Sequence, residues 1–254
     1  MNTIEQFHLK QILQVLAAET GIVVSEANSW QVQQRIKTLC KKYEIPSFYR
    51  LRQRLQHHQK YLFWDELMEC VLVQESYFFR DKAFFVQLET DIIPALLTQH
   101  CPIRIWSAAA AQGQEIYSIA MMAHKTNTLS AMELYASDIS NTALQYAESG
   151  LYSYASLQRS ISHEDIACFF EQHHHKWRFR DDIRSRVSFF RHNLMHPCGR
   201  NNFYHIIIIK NMLLYLSSDN RKKVIRNAQK ALHKDGILII SNPNTQLVTK
   251  GSTL

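Results

Sequence analysis

The stretch Ile103–Glu115, IRIWSAAAAQGQE, decides the fold. It reads as a buried strand, a tight loop of small residues and the start of a helix. Nucleotide-like cofactors are held by this arrangement, because backbone approaches closely at the strand end and helix N–H groups lie beyond it. The loop is rich in alanine, and Gly113 is its only glycine. Glycine is scarce throughout, six in 254 residues, so any family whose loops need many glycines is degenerate here.

Downstream of Ile103 the rhythm is strand, helix, strand. Strand-like runs fall at Ile103–Ser107, Met132–Ser137, Val187–Arg191, His205–Ile209 and Ile237–Ser241. Helical patterns lie between most of them, at Glu115–His124, Asn141–Ser149 and Asp219–Leu232. Ile206–Ile209 is apolar on both faces, as a central parallel strand should be. The alternation predicts an α/β fold with a doubly wound, mostly parallel sheet over 102–254. The polar, His-rich stretch 151–186 is too long for a simple crossover. It reads as an inserted small subdomain or as a helix plus a loop.

Upstream, residues 1–73 read as an all-helical N-terminal domain. Leu9, Ile12, Leu13 and Leu16 form a helical stripe with Gly21 as its stop. Ser29 is placed to cap a helix carrying Val32, Ile36 and Leu39, and Ser47 one carrying Phe48, Leu51 and Leu55. Trp64, Leu67, Met68 and Val71 continue the pattern. Residues 74–101 form a linker, QESYFFRD at Gln74–Asp81 followed by a helix from Phe84 to about Leu97.

Composition bounds the function. A hydrophobic fraction of 46% with 20% charged residues describes a folded globular chain. No secretory signal stands out, and no run of about 18 apolar residues suggests a membrane span. Five scattered cysteines without a C-x-x-C read as free thiols in a reducing, cytoplasmic setting. The net charge of +7 favours an acidic partner without choosing one. Arg35, Lys37, Lys41, Lys42, Arg50, Arg52 and Arg54 read as a solvated helix face or as a docking surface. Nucleic acid is not expected as the partner. Amino-methylating enzymes carry N-P-P-Y or D-P-P-Y after the fourth strand, where this chain has KNML; its SNPN at Ser241–Asn244 follows the fifth.

Two acids stand out. Asp138, at the end of the second strand, suits ribose hydroxyls or serves as a helix cap. Glu115, opening the helix after the loop, suits a cationic ligand group or simply the helix N-terminus. The segments QESYFFRD, IRIWSAAAAQGQEIYSIA, YASDIS, AESGLYSYASLQ, HNLM and IIIIKNMLLYLS occur in one order along the chain. In that order the chain resembles the CheR family, the chemotaxis-receptor glutamate O-methyltransferases that use S-adenosylmethionine. The resemblance runs from about residue 5 to 242.

The resemblance implies roles residue by residue. In the linker motif, Gln74 stands for the family's Asn and Ser76 for its Thr, while Phe78, Phe79, Arg80 and Asp81 match. Gln74, Ser76 and Arg80 would reach cofactor or reacting centre. Gly113 and Glu115 match the cofactor loop, Glu115 taking the amino group of the methionine part. Asp138 would take the ribose hydroxyls, and Asn193 and Leu194 flank the adenine. Lys210 replaces the family's Arg beside Asn211, and Tyr215 is kept. Arg80 and Tyr215 are the expected catalytic positioning residues. The product would be S-adenosylhomocysteine, and the partner a chemoreceptor-like protein with acidic methylation helices, met by the basic N-terminal helices.

The chain also departs from the pattern. A loop Ser has become Ala111, the first loop Glu is Gln114, and His205 stands where the family usually has Asp. Its fifth strand ends in KDGILIISNPN, and an ending at Leu254 suggests a less complete sheet edge or one filled by a partner chain. These departures leave a second reading, a degenerate relative that binds cofactor or partners without catalysis. In the 151–186 insertion the family's small β-subdomain is expected to be poor in strands, with His173–His175 as a solvated loop rather than a metal site. No metal is expected.

Overall fold

The computed structural model describes residues 3–56 and 63–242, and the backbone of 245–250. The chain forms two compact units. One takes the first 73 residues with Met212–Val224; the other takes Gln74–Asn211 with Ile225–Leu254.

The first unit is helical, with helices at Thr3–Thr20, Glu26–Lys42, Phe48–Gln56 and Trp64–Glu69. Ile12, Leu16, Ile36, Leu51, Leu67 and Val224 are among its deeply buried side chains. The first helix stops at Gly21, whose φ of 77° is open to glycine without a Cβ clash. Ser47 caps the third helix by accepting from the Arg50 amide at 3.3 Å. Ser29 caps nothing: the second helix starts three residues earlier, after Ser25 in extended conformation. Met212–Tyr215 forms a short 3-10 turn whose Tyr215 carbonyl accepts from the Val23 amide at 2.8 Å.

Among the described residues the second unit carries nine strands: β1 Ile103–Ala108, β2 Met132–Asp138, β3 Leu151–Tyr152, β4 Phe170–His173, β5 Lys176–Phe179, β6 Val187–Arg191, β7 Tyr204–Lys210, β8 Leu232–Asn242 and β9 Thr245–Lys250. The main sheet has the order β6-β2-β1-β7-β8-β9. Its first five strands are parallel, with Ile105 level with Ile206 and Ile206 level with Ile237. Ile206–Ile209 are all fully buried, each contributing roughly 2 kcal/mol of apolar transfer. β9 runs antiparallel along β8, so the edge beyond the fifth parallel strand is covered by this chain itself, contrary to the expected gap. Pro243, Asn244 and Leu254, named above, lie outside the described residues.

The stretch from Phe84 to Leu97 is not one helix. Helices Lys82–Gln87 and Ile93–Leu97 are joined by a five-residue π turn, Leu88–Ile92. Pro94 has no N–H to donate, and the ladder widens just before it.

The 151–186 insertion corrects the sequence reading more strongly. β3, β5 and β4 form an antiparallel sheet in that order, Tyr152 opposite Trp177 and Gln172 opposite Trp177 across the other edge. The strands are two to four residues long, too short for a periodic signal. Phe169, Phe170 and Phe179 bury the inner side. His173 and His174 lie at the tip of the β4–β5 hairpin, with φ 53° at His174.

His205 explains its own exchange for aspartate. Its Nδ1 accepts from the Arg104 amide at 2.9 Å, as a carboxylate there would. Burial and the nearby Arg104 push its pKa down to about 4, so the ring stays a neutral acceptor.

Candidate cofactor site

The loop after β1 turns sharply. Ala109, Ala111 and Gly113 have φ of 61°, 49° and 85°. For an alanine the left-handed region costs about 1–2 kcal/mol, so the surrounding bonds must hold it there. They do: the Ala110 amide donates to the Ser137 carbonyl and the Gly113 amide to the Ala110 carbonyl, both at 2.9 Å. The Ala111 amide donates to Asp138 Oδ2 at 2.9 Å. The Tyr152 hydroxyl donates to the Gln112 carbonyl at 2.6 Å. Gly113 also has no room for a side chain, since a Cβ there would lie 3.0 Å from Ala147 Cβ and 3.2 Å from the Tyr117 ring.

Glu115 sits in the first turn of the helix Gln114–Lys125, partly buried. Ser107, fully buried on β1, donates its hydroxyl to Glu115 Oε1 at 2.7 Å. Burial pushes Glu115 above the ordinary carboxylate range. Lys210, the Ser107 hydroxyl and Arg80 pull it back, and Asp81 adds to the rise. The net shift is upward, so nearby cations do not fully balance this carboxylate.

Asp138 closes β2. Its Oδ1 accepts from the Ser140 amide and its Oδ2 from the Ala111 amide, both at 2.9 Å. The Ile139 amide is a third backbone donor to this carboxylate, which still has acceptor capacity left for a further donor. Burial raises its pKa, and the amides of Ser140, Ala111 and Ile139 oppose the rise. Asp138 is not the helix cap; Ser140 is, accepting from the Ala143 amide at 2.9 Å.

The linker folds onto these strand ends. Gln74 Nε2 donates to Ser140 Oγ at 2.9 Å, and the Phe79 amide donates to Ser118 Oγ at 2.9 Å. Phe78 is fully buried, edge-on to Tyr152 and Phe170. Ser76 is partly buried between them in the chain. Arg80 Nη1 donates to the Glu75 carbonyl at 3.1 Å, with its guanidinium 5.4 Å from the Tyr77 ring centre. Lys210, almost fully buried, pairs with Asp81 at 3.2 Å and lies 4.0 Å over the Phe84 ring. Asn211 follows with φ 61°, its amide on the Ser241 carbonyl at 2.8 Å.

Asn193 and Leu194 follow β6. The His192 amide donates to the Asp138 carbonyl at 2.9 Å, and Asn193 Oδ1 accepts from the Met195 amide at 3.0 Å. Leu194 is buried, and its carbonyl accepts from Asn227 at 3.0 Å. Thus Gln74, Arg80, Gly113, Glu115, Asp138, Asn193, Lys210 and Asn211 all stand at or beside the C-terminal ends of the parallel strands. Tyr215 belongs to the other unit.

Residues 74–250 match the family model described as CheR methyltransferase, SAM binding domain, well over half of the chain. The chain belongs to the CheR methyltransferase family. A chemotaxis protein methyltransferase of Vibrio anguillarum is 28% identical over 244 residues, covering 94% of this chain and 89% of that one. One from Listeria innocua is 24% identical, covering 89% and 85%. Among solved structures, a TehB-like SAM-dependent methyltransferase from Corynebacterium glutamicum aligns with a TM-score of 0.37 at 14% identity, covering 63% of this chain and 68% of that one. The cofactor of this CheR-family domain is S-adenosylmethionine.

Four contributors to the site received no role from the sequence taken alone. Ser107 is one hydroxyl in an apolar strand, a weak signal. Tyr152 lies in the AESGLY segment, but its bond to a loop carbonyl forty residues away depends on the β3–β5–β4 sheet. Asp81 and Ser140 are local caps that also receive Lys210 and Gln74.

Proposed function

We propose that this chain transfers a methyl group from S-adenosylmethionine to glutamate carboxylates of a chemoreceptor-like protein. The observation that carries the proposal is Glu115, a partly buried carboxylate held by Ser107 and raised by burial, at the end of β1. A cation without its own counter-ion suits such an acid, and the ammonium of the cofactor's methionine part is one. Asp138, a carboxylate at the end of β2 with acceptor capacity beyond its backbone amides, suits the ribose hydroxyls. Asn193 and Leu194 offer a polar group and a buried apolar group for the adenine, and Gln74, Ser76 and Asn211 polar groups around the rest.

When bound, S-adenosylmethionine supplies an electrophilic methyl carbon on a sulfonium. The chain needs no strong base, since a glutamate with a reference pKa near 4.3 is already ionised at pH 7. Its task is to orient that carboxylate and exclude water. Arg80 is the residue for it. Its guanidinium rests on a linker carbonyl and a Tyr77 ring face, contacts an arriving carboxylate can outbid through two charged bonds. Lys210, fixed on Asp81 and Phe84, shapes the site rather than gripping the substrate.

Receptor recognition falls to the basic N-terminal helices. Arg35 is committed to the Cys70 and Leu72 carbonyls, Lys42 to Glu66 and Arg52 to Gln11. Exposed Lys37 and Lys41, on the helix Glu26–Lys42, are left for acidic receptor helices. No helix among the described residues is long and apolar enough to cross a membrane, and we place the protein in the cytoplasm, where receptor methylation domains face it.

The test is transfer of labelled methyl to a chemoreceptor cytoplasmic domain. Label released as methanol by alkali, and absent when the receptor's methylated glutamates are changed to alanine, supports the proposal. Cofactor binding without any transfer, or alkali-stable label, overturns it.

A further inference from the structure

The described residues hold one cluster of metal-type ligands, far along the strands from the cofactor loop. His100, His205 and His233 each place a ring nitrogen within 4.8 Å of the others. They come from three segments: His100 just before β1, His205 at the start of β7 and His233 at the start of β8. The His100 and His205 rings stack with centres 4.5 Å apart, and His233 stands edge-on to His100 at 5.0 Å.

A fourth group completes the cluster. Asp235 Oδ2 lies 3.7 Å from His100 Nε2 and 3.6 Å from His233 Nδ1. Ligands held tetrahedrally at zinc, with bonds of about 2.0–2.1 Å, stand roughly 3.4 Å from one another. The two spacings are within a few tenths of an ångström of that value. His100 Nε2 is buried and has no hydrogen-bond partner, so it is a polar atom left without a role. His233 Nδ1 receives only a long contact, 3.3 Å from the Asp235 amide, which a metal bond would replace.

His205 plays a different part. Its Nδ1 accepts from the Arg104 amide, which places its proton on Nε2 and leaves no lone pair for a metal. It backs His100 by stacking. Arg104 is the cation that opposes a metal here, with Nη2 3.4 Å from His205 Nε2. Its guanidinium is committed elsewhere, to the Phe203 carbonyl at 2.7 Å and to the Phe203 ring.

We propose that His100, His233 and Asp235 form a zinc site, with a water in the fourth position and His205 as its packed support. Neutral imidazoles and one carboxylate are a zinc donor set. Because β7 lies between β1 and β8, an ion here would tie the segment entering β1 to the start of β8 across the middle strand. The site is structural in that sense and lies outside the transfer reaction.

The experiment is zinc titration of tag-free, full-length protein against a chromophoric chelator, with cobalt substitution and thermal melts alongside. Wild type should take up one zinc per chain, give the intense visible bands of tetrahedral cobalt, and melt higher with zinc. H233A and D235N should bind at least tenfold more weakly and lose the zinc-dependent rise. Two other variants should keep the site: C101S, and the triple change of His173, His174 and His175 to alanine. Stoichiometric binding lost in either of those, or wild type binding no more tightly than H233A, would overturn the proposal.

Discussion

The two ends of the central strands have opposite chemistry. At their C-terminal ends stand acids, Glu115 and Asp138, both raised by burial and both held by short bonds from Ser107 or from backbone amides. At their N-terminal ends stand imidazoles, His100 stacked on His205 and His233 edge-on to His100, beside Asp235. At the first end burial disfavours the charge of two carboxylates, which a ligand cation would favour. At the second, burial lowers the pKa of His205 and His233. Backbone explains much of the difference. Past the ends of β1 and β2 several loop amides converge on one carboxylate, Asp138, whereas at the strand starts His205 and His233 each receive a single backbone amide.

Substitutions can break this contrast. The largest effect is expected for Glu115→Gln, which removes the charge proposed to face the cofactor's ammonium. Affinity for S-adenosylmethionine should fall on the order of a hundredfold, about 2–3 kcal/mol, by calorimetry. The ligand-free protein should become more stable at neutral pH, because the buried charge is gone. Should both ends matter equally to the cofactor, His233→Ala would weaken binding as much; the expectation is a change of less than about twofold. Asp138→Asn should cost roughly tenfold in affinity, since an amide nitrogen cannot accept from either the Ala111 or the Ser140 amide.

A pH series sharpens the same contrast. Glu115 has a folded-state pKa above its ordinary value, so the native state holds more protons than the unfolded state between the two. In that window the stability of the ligand-free protein should fall as pH rises. Cofactor affinity should rise over the same window, because the ammonium needs the ionised acid. In Glu115→Gln the affinity slope should vanish and the stability slope should shrink to what Asp138, also raised by burial, contributes, as melts and calorimetry at matched pH would show.

Smaller effects concern the loop's supports. Tyr152→Phe removes the bond to the Gln112 carbonyl and should weaken cofactor binding about fivefold, near 1 kcal/mol, with little change in melting. Ala111→Gly should stabilise the fold by up to about 1 kcal/mol, because φ 49° suits glycine better.

Much of this was legible in the chain. Ile103–Ala108 and Ile206–Ile209 declare themselves as central strands through continuous apolar character, and the order of the motifs placed Glu115 and Asp138 at strand ends. The insertion was not legible, since strands of two to four residues carry no period and their aromatic core comes from residues spread over 152–179. Ser107 was hidden for a different reason. A buried serine in a strand acquires meaning only when the loop brings a carboxylate back over it. The histidine cluster needed three segments to meet, and neither His100 nor His233 stands out in its own neighbourhood.

Calorimetric titration of wild type, Glu115→Gln and His233→Ala with S-adenosylmethionine tests the central claim most directly. One site per chain is expected in wild type, retained in His233→Ala and weakened on the order of a hundredfold in Glu115→Gln. No binding by wild type, or equal affinity in Glu115→Gln, would contradict the assignment of the acidic strand ends to the cofactor.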